Sequence, residues 1–111
     1  MGHNRMVGLE IFSRVTAEKR QELLQSVEVL LGLQGRPSAC ISQALFEDVR
    51  APNHFLWVEH WTTNAALEAH LQAERFRTLL GAIEVLGVLE DLRIVELTVP
   101  PEGSSRQRPV R

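Results

Sequence analysis

The feature that most constrains this chain is the order in which its hydrophobic periodicities succeed one another. Residues 6–13 alternate with period two, placing Val7, Leu9 and Ile11 on one face of a strand. Leu23, Leu24, Val27, Leu30 and Leu31 then recur at helical spacing. Thr16 is the expected N-cap, with Glu18 in the first turn, and Gly32, Gly35 and Pro37 are expected to end that helix. Strands are expected over 39–48 and 54–61, joined by a turn at Ala51-Pro52-Asn53. Thr63 should cap a second helical segment carrying Leu67, Leu71, Phe76, Leu79, Leu80, Ile83 and Leu86, with a break near 72–75. A last strand is expected over 91–99. The order is βαββαβ. It predicts an α+β, ferredoxin-like fold, with a four-stranded antiparallel sheet and the helices on one face.

The 111 residues suit one domain. The folded body is expected over 5–99. The segment 100–111, with almost no apolar content, reads as a flexible basic tail. At 44% hydrophobic and 23% charged residues, the composition is that of an ordinary globular protein. Formal charge is −2, and residues 104–111 hold three arginines and no acid, so the rest of the chain is near −5. That balance argues against nucleic acid as a partner. No apolar stretch approaches the roughly 20 residues that span a bilayer. The start of the chain does not read as a signal peptide, so no membrane association and a cytoplasmic location are expected. The seven glycines form no phosphate-binding loop.

Several strands are apolar on both sides. Ile41 and Leu45 oppose Phe46, and Leu56 and Val58 oppose Phe55 and Trp57. A sheet wet on one face alternates more cleanly. The second face is therefore expected to meet a second copy of the chain, making a homodimer.

Few side chains can carry chemistry. His54 and His60 lie six residues apart on one strand, about 20 Å by strand geometry, and cannot share a metal. His3 sits in the expected disordered start. Cys40, the lone cysteine, excludes a disulfide framework and reads as a small buried apolar side chain. The stretch from Phe55 to Leu71 is more informative. Phe55, Trp57, Glu59 and Trp61 share one strand face, so Glu59 is a carboxylate between two indoles. Its pKa should rise in apolar surroundings unless it is paired. His70 lies beside the apolar stripe of the following helix and is placed to reach Glu59 or Trp61. Two readings stay open on the residues alone: a hydrogen bond tying helix to strand, or a proton-transfer pair.

Glu59-His60-Trp61, followed nine residues later by His70-Leu71 and then by Phe76, resembles the antibiotic biosynthesis monooxygenase family, which includes cofactor-free quinol monooxygenases. Pro37-Ser38-Ala39-Cys40-Ile41 is similar to the family's Pro-Gly-Cys entry to strand two, with Ala39 in place of Gly. The resemblance covers about residues 5–99. It implies a dimeric α+β barrel, with a pocket between sheet and helices in each subunit. In that pocket an electron-rich phenol or hydroquinone is deprotonated and passes an electron to O₂ with neither flavin nor metal. Carried onto this chain, it makes His70 the base, held by Glu59, and makes Trp57, Trp61, Phe76 and Leu80 the residues binding a small aromatic substrate. Two positions depart from relatives. Trp57 stands where some polyketide-oxidising members carry Asn. His70, Leu80 and about Gly8 stand where haem-degrading members need Trp, His and Asn, so haem degradation is not expected and no cofactor is implied. The competing reading is a non-catalytic dimeric module holding a small aromatic ligand. An active pocket requires an enclosed cavity into which His70 or Glu59 presents a polar atom.

Overall fold

The computed structural model describes residues 4–34 and 37–99. Strand β1 (Asn4–Val15) leads through a single 3₁₀ turn (Ala17–Lys19) into helix α1 (Arg20–Gln34). Strands β2 (Cys40–Glu47) and β3 (His54–Trp61) form a hairpin. Helices α2 (Asn64–Leu71) and α3 (Glu74–Leu86) follow, and β4 (Gly87–Val99) closes the fold. The sheet order is β2-β3-β1-β4, antiparallel throughout. This is the expected ferredoxin-like arrangement, with the second helical segment broken at residues 72–73.

One sheet face lies under the helices. From β1 it carries Val7, Leu9, Ile11, Ser13 and Val15, and from β3 it carries Phe55, Trp57, Glu59 and Trp61, all buried. The helices cover them with Leu23 and Val27 from α1, Leu67 and His70 from α2, and Phe76, Leu79 and Ile83 from α3. Each fully buried aliphatic side chain, such as Leu9, Ile11 or Leu67, contributes roughly 1.5–3 kcal/mol. Adhesion of helices to sheet therefore comes chiefly from this apolar layer. The opposite face carries Phe12, Phe46, Leu56 and Val58, and Phe46 is 55% exposed. Arg93 lies over the Phe12 ring at 4.8 Å.

Several boundaries differ from expectation. The strand β1 runs two residues further at each end, and β2 is one residue shorter at each end. The Thr16 side chain makes no capping bond. Its carbonyl instead accepts the Lys19 N–H at 3.0 Å, and the 3₁₀ turn so formed takes the place of a capped first turn. Gly32 lies inside α1, where a glycine is tolerated because the surrounding leucines already anchor the helix; Gly35 is outside the described residues. The strand β4 starts at Gly87, not 91, because α3 passes into it without a loop and 87–90 extend the pairing with β1. Only glycine fits that junction: a Cβ at Gly87 would run into the Arg14 carbonyl and lie 2.6 Å from Val15 Cγ1. Ile41 falls at a register shift in β2 and is 40% exposed.

The β2–β3 turn closes at Asn53, whose φ of 71° is left-handed and suits asparagine. Its N–H donates to Glu47 at 2.9 Å. Both oxygens of the Glu47 carboxylate are also gripped by the Arg20 guanidinium, Nε donating at 3.1 Å and Nη2 at 2.7 Å. The hydrogen bond from Arg20 comes first, and with that from Asn53 it holds the Glu47 carboxyl at about 2. This pair links the start of α1 to the hairpin. No helix among the described residues is long and apolar enough to cross a membrane. His3 and the 100–111 segment lie outside the described residues.

Candidate active site

The site is built on the inward face of β3. Period-two geometry sets Trp57, Glu59 and Trp61 in a row there, and both indoles fold back onto the carboxylate between them. Trp57 Nε1 donates to Glu59 Oε2 and Trp61 Nε1 to Oε1, each at 2.9 Å. Gln43 is the direct neighbour of Glu59 across the β2–β3 ladder, and its amide nitrogen donates to Oε2 at 3.1 Å.

The fourth donor comes from α2. Thr63 caps this helix as expected, its hydroxyl accepting the Ala66 N–H at 3.0 Å. The two-residue link from Trp61 turns the helix back over β3. Leu67 and His70, three apart, therefore both face the sheet. His70 Nε2 lies 3.2 Å from Glu59 Oε2 and 3.1 Å from Oε1. Its ring stacks at a tilt on Trp61, with centroids 4.5 Å apart. Ala73 N–H bonds back to the His70 carbonyl at 2.9 Å, and α3 starts afresh so that the Phe76 ring meets His70 at 5.2 Å.

The electrostatics follow from this donor set. Glu59 is 1% exposed, and burial pushes its carboxyl up. The hydrogen bonds from His70 and Trp61, the charge of His70 and the hydrogen bond from Trp57 more than offset that push, so the carboxyl lies below its ordinary value. It is ionised at neutral pH and can only accept, so Nε2 of His70 must carry a proton. In neutral imidazole this leaves the lone pair on Nδ1, which makes no hydrogen bond within the described protein. The Glu59–His70 pair thus has the form of an oriented base.

Beside it is a cavity of about 10 Å³, room for about one water. Trp57, Glu59, His70 and Phe76 line it, as do Gln43 and Arg75, with aliphatic side chains of α1 closing the other side. Trp61 packs behind His70 and is not on the wall. Leu79 lines the cavity where Leu80 was expected. The cause is the break at 72–73, which resets the helical phase so that Phe76, Leu79 and Ile83 form the inward stripe. Gln43 was legible as a polar residue in phase with inward Leu45. Arg75 was not, since its direction depends on where α3 restarts. Gly8 lies on the outer face against Val95 and His60, away from the cavity. His54 and His60 are also on the outer face, His60 Nδ1 lying 2.9 Å from the Ser42 hydroxyl. No cluster of three metal-ligating side chains exists among the described residues. Cys40 is buried, its thiol donating to the Ser42 carbonyl.

Replacing Glu59 by glutamine leaves one oxygen where four donors converge. The expected outcome is a loss of about 3 kcal/mol at neutral pH in denaturant melts. Because the folded carboxyl is depressed, its contribution is present above the unfolded value of about 4.3 and is lost as pH falls through the folded one. The acid-side fall in stability should therefore be shallower in the variant. An unchanged melting profile would contradict this account of the cluster.

Known proteins share this fold and stretches of this sequence. The chain is 29% identical over 72 residues to "Putative monooxygenase YcnE" of Bacillus subtilis, covering 65% of this chain and 76% of that protein. It is 30% identical over 63 residues to sll1783 of Synechocystis, an uncharacterised protein, covering 57% of this chain but only 43% of the relative. Among solved structures, a "putative antibiotic biosynthesis monooxygenase" from Deinococcus radiodurans superposes with a TM-score of 0.68 at 25% identity, covering 82% of this chain and 89% of that one. A conserved protein from Methanosarcina mazei shares the fold, with a TM-score of 0.70 at 16% identity over 83% and 90% of the two chains. The sequence model for antibiotic biosynthesis monooxygenases matches residues 6–81, more than half of the chain, and with it this chain belongs to that family.

Proposed function

We propose that the chain is a cofactor-independent monooxygenase that oxidises a quinol or polycyclic phenol with O₂. The observation that carries this reading is the Glu59–His70 pair, in which a buried carboxylate commits Nε2 and leaves Nδ1 as the basic atom of a residue that lines the cavity. His70 Nδ1 takes the proton of the substrate hydroxyl or acidic carbon. The resulting anion passes one electron to O₂, and superoxide and substrate radical join at carbon. For a ring CH₂ group, loss of water from the peroxide leaves a carbonyl, so that CH₂ and O₂ become C=O and H₂O. Glu59 orients the imidazole and stabilises it when protonated, and Trp57 and Phe76 contact the substrate ring. Trp61 supports His70 from behind.

The limited space favours a second reading. A cavity of about 10 Å³ holds no ring, so substrate enters only as the side chains of α1 and α3 part. A carboxylate already satisfied by four donors also suits a helix-to-strand tie in a non-catalytic ligand-binding module. Aerobic incubation with reduced naphthoquinols and anthrones separates the two. The enzyme reading expects protein-dependent O₂ uptake that falls roughly 100-fold or more in His70→Ala, the range for a lost general base. No uptake above background, or equal uptake by both proteins, would overturn it.

The proposed functional unit is a homodimer joined through the outer sheet face. What supports it is the apolar content there, with Phe46 55% and Val88 44% exposed beside Phe12, Leu56 and Val58. Sedimentation at micromolar concentration should give twice the 12.5 kDa chain mass. A 12.5 kDa species would contradict the dimer.

A further inference from the structure

We infer that Arg75 is the anion-recognising residue of the cavity, holding the oxygen of a deprotonated phenol beside His70 and so selecting hydroxyaromatic compounds that ionise on binding. The inference rests on the reading of the cavity as a substrate site, and goes beyond it in naming what the substrate must present.

Arg75 is the second residue of α3, part-buried, and it lines the same cavity as His70 and Glu59. Its guanidinium meets only the side-chain oxygen of Gln43, at 3.3 Å, beyond the usual range for such a bond. No carboxylate of the described residues pairs with it. Arg14, Arg20 and Arg93, by contrast, each sit 2.7–2.9 Å from a carboxylate. A guanidinium has five N–H groups and is always charged, so most of its donor capacity is left without a protein partner at the edge of the cavity.

Glu59 does not supply the missing counter-ion. Gln43 stands between them, its nitrogen donating to Glu59 and its oxygen accepting from Arg75. The indole N–H groups of Trp57 and Trp61, which would otherwise serve an oxyanion, are both committed to Glu59. Arg75 is thus the charged donor left over for a ligand. A charge-assisted bond to an anionic oxygen is about twice as strong as a neutral one, so such an oxygen displaces the long contact to Gln43. Charge also balances. When a phenol proton moves to His70 Nδ1, the new cation lies against Glu59 and the new anion against Arg75.

The test uses 4-nitrophenol, whose absorbance reports its ionisation, with nitrobenzene as the neutral probe of similar shape. Both are titrated into the full chain as wild type, Arg75→Gln and Arg75→Lys, with near-ultraviolet circular dichroism confirming the packing of the two tryptophans. Nitrophenolate affinity should fall roughly tenfold in Arg75→Gln, as for one lost charge-assisted bond. It should be largely kept in Arg75→Lys, and nitrobenzene binding should not change. Equal nitrophenolate affinity in wild type and Arg75→Gln, with nitrobenzene bound by both, would overturn the role of Arg75 while leaving the cavity as a binding site. Failure of both probes to bind wild type would overturn the cavity reading and this inference with it.

Discussion

The carboxylate of Glu59 is the point on which the site depends. It is drawn out of water, and an unpaired charge there would be penalised by several kcal/mol. Four donors from three elements meet it: two indoles of β3, the amide of Gln43 on β2 and the imidazole of His70 on α2. Such a set is directional in a way that leucine contacts are not. The apolar layer presses the helices onto the sheet, whereas the carboxylate specifies where along β3 the helix α2 must sit. The same bonds keep Glu59 ionised, and that in turn dictates which nitrogen of His70 holds the proton. Packing, charge state and reactive atom are one consequence of a single buried acid.

Much of this was legible from periodicity. A strand with Phe55, Trp57, Glu59 and Trp61 in phase and a capped helix with Leu67 and His70 three apart place an acid and an imidazole face to face once the helix folds back. What periodicity could not supply was phase across an interruption. The break at 72–73 resets α3, so Leu79 rather than Leu80 lines the cavity and Arg75 is turned toward it. The early start of β4 was hidden for a related reason. Without a loop there is no turn signature, and only the contact of Gly87 with the Arg14 backbone shows why a glycine stands there. The likeness to family sequences located Glu59, His70 and Phe76, but not Gln43 or Arg75, which belong to the cavity of this chain.

The cavity joins a polar wall to an aliphatic one. Glu59, Gln43 and Arg75 form one side, Gln43 bonded to Glu59 and only in long contact with Arg75, and leucine and valine side chains of α1 form the other. The part of the polar wall around Glu59 is already ordered, so little reorganisation is needed there when charge develops. The aliphatic wall is held by dispersion contacts that a ring can replace in kind. Entry of substrate is therefore expected to move α1 side chains while the acid–imidazole pair keeps its geometry.

The central claim is that Glu59 fixes the tautomer of His70. Nitrogen-15 NMR of the imidazole at neutral to mildly alkaline pH tests it most directly. The account predicts a protonated, pyrrole-type Nε2 and an unprotonated, pyridine-type Nδ1. The reversed assignment, with the proton on Nδ1, would contradict it.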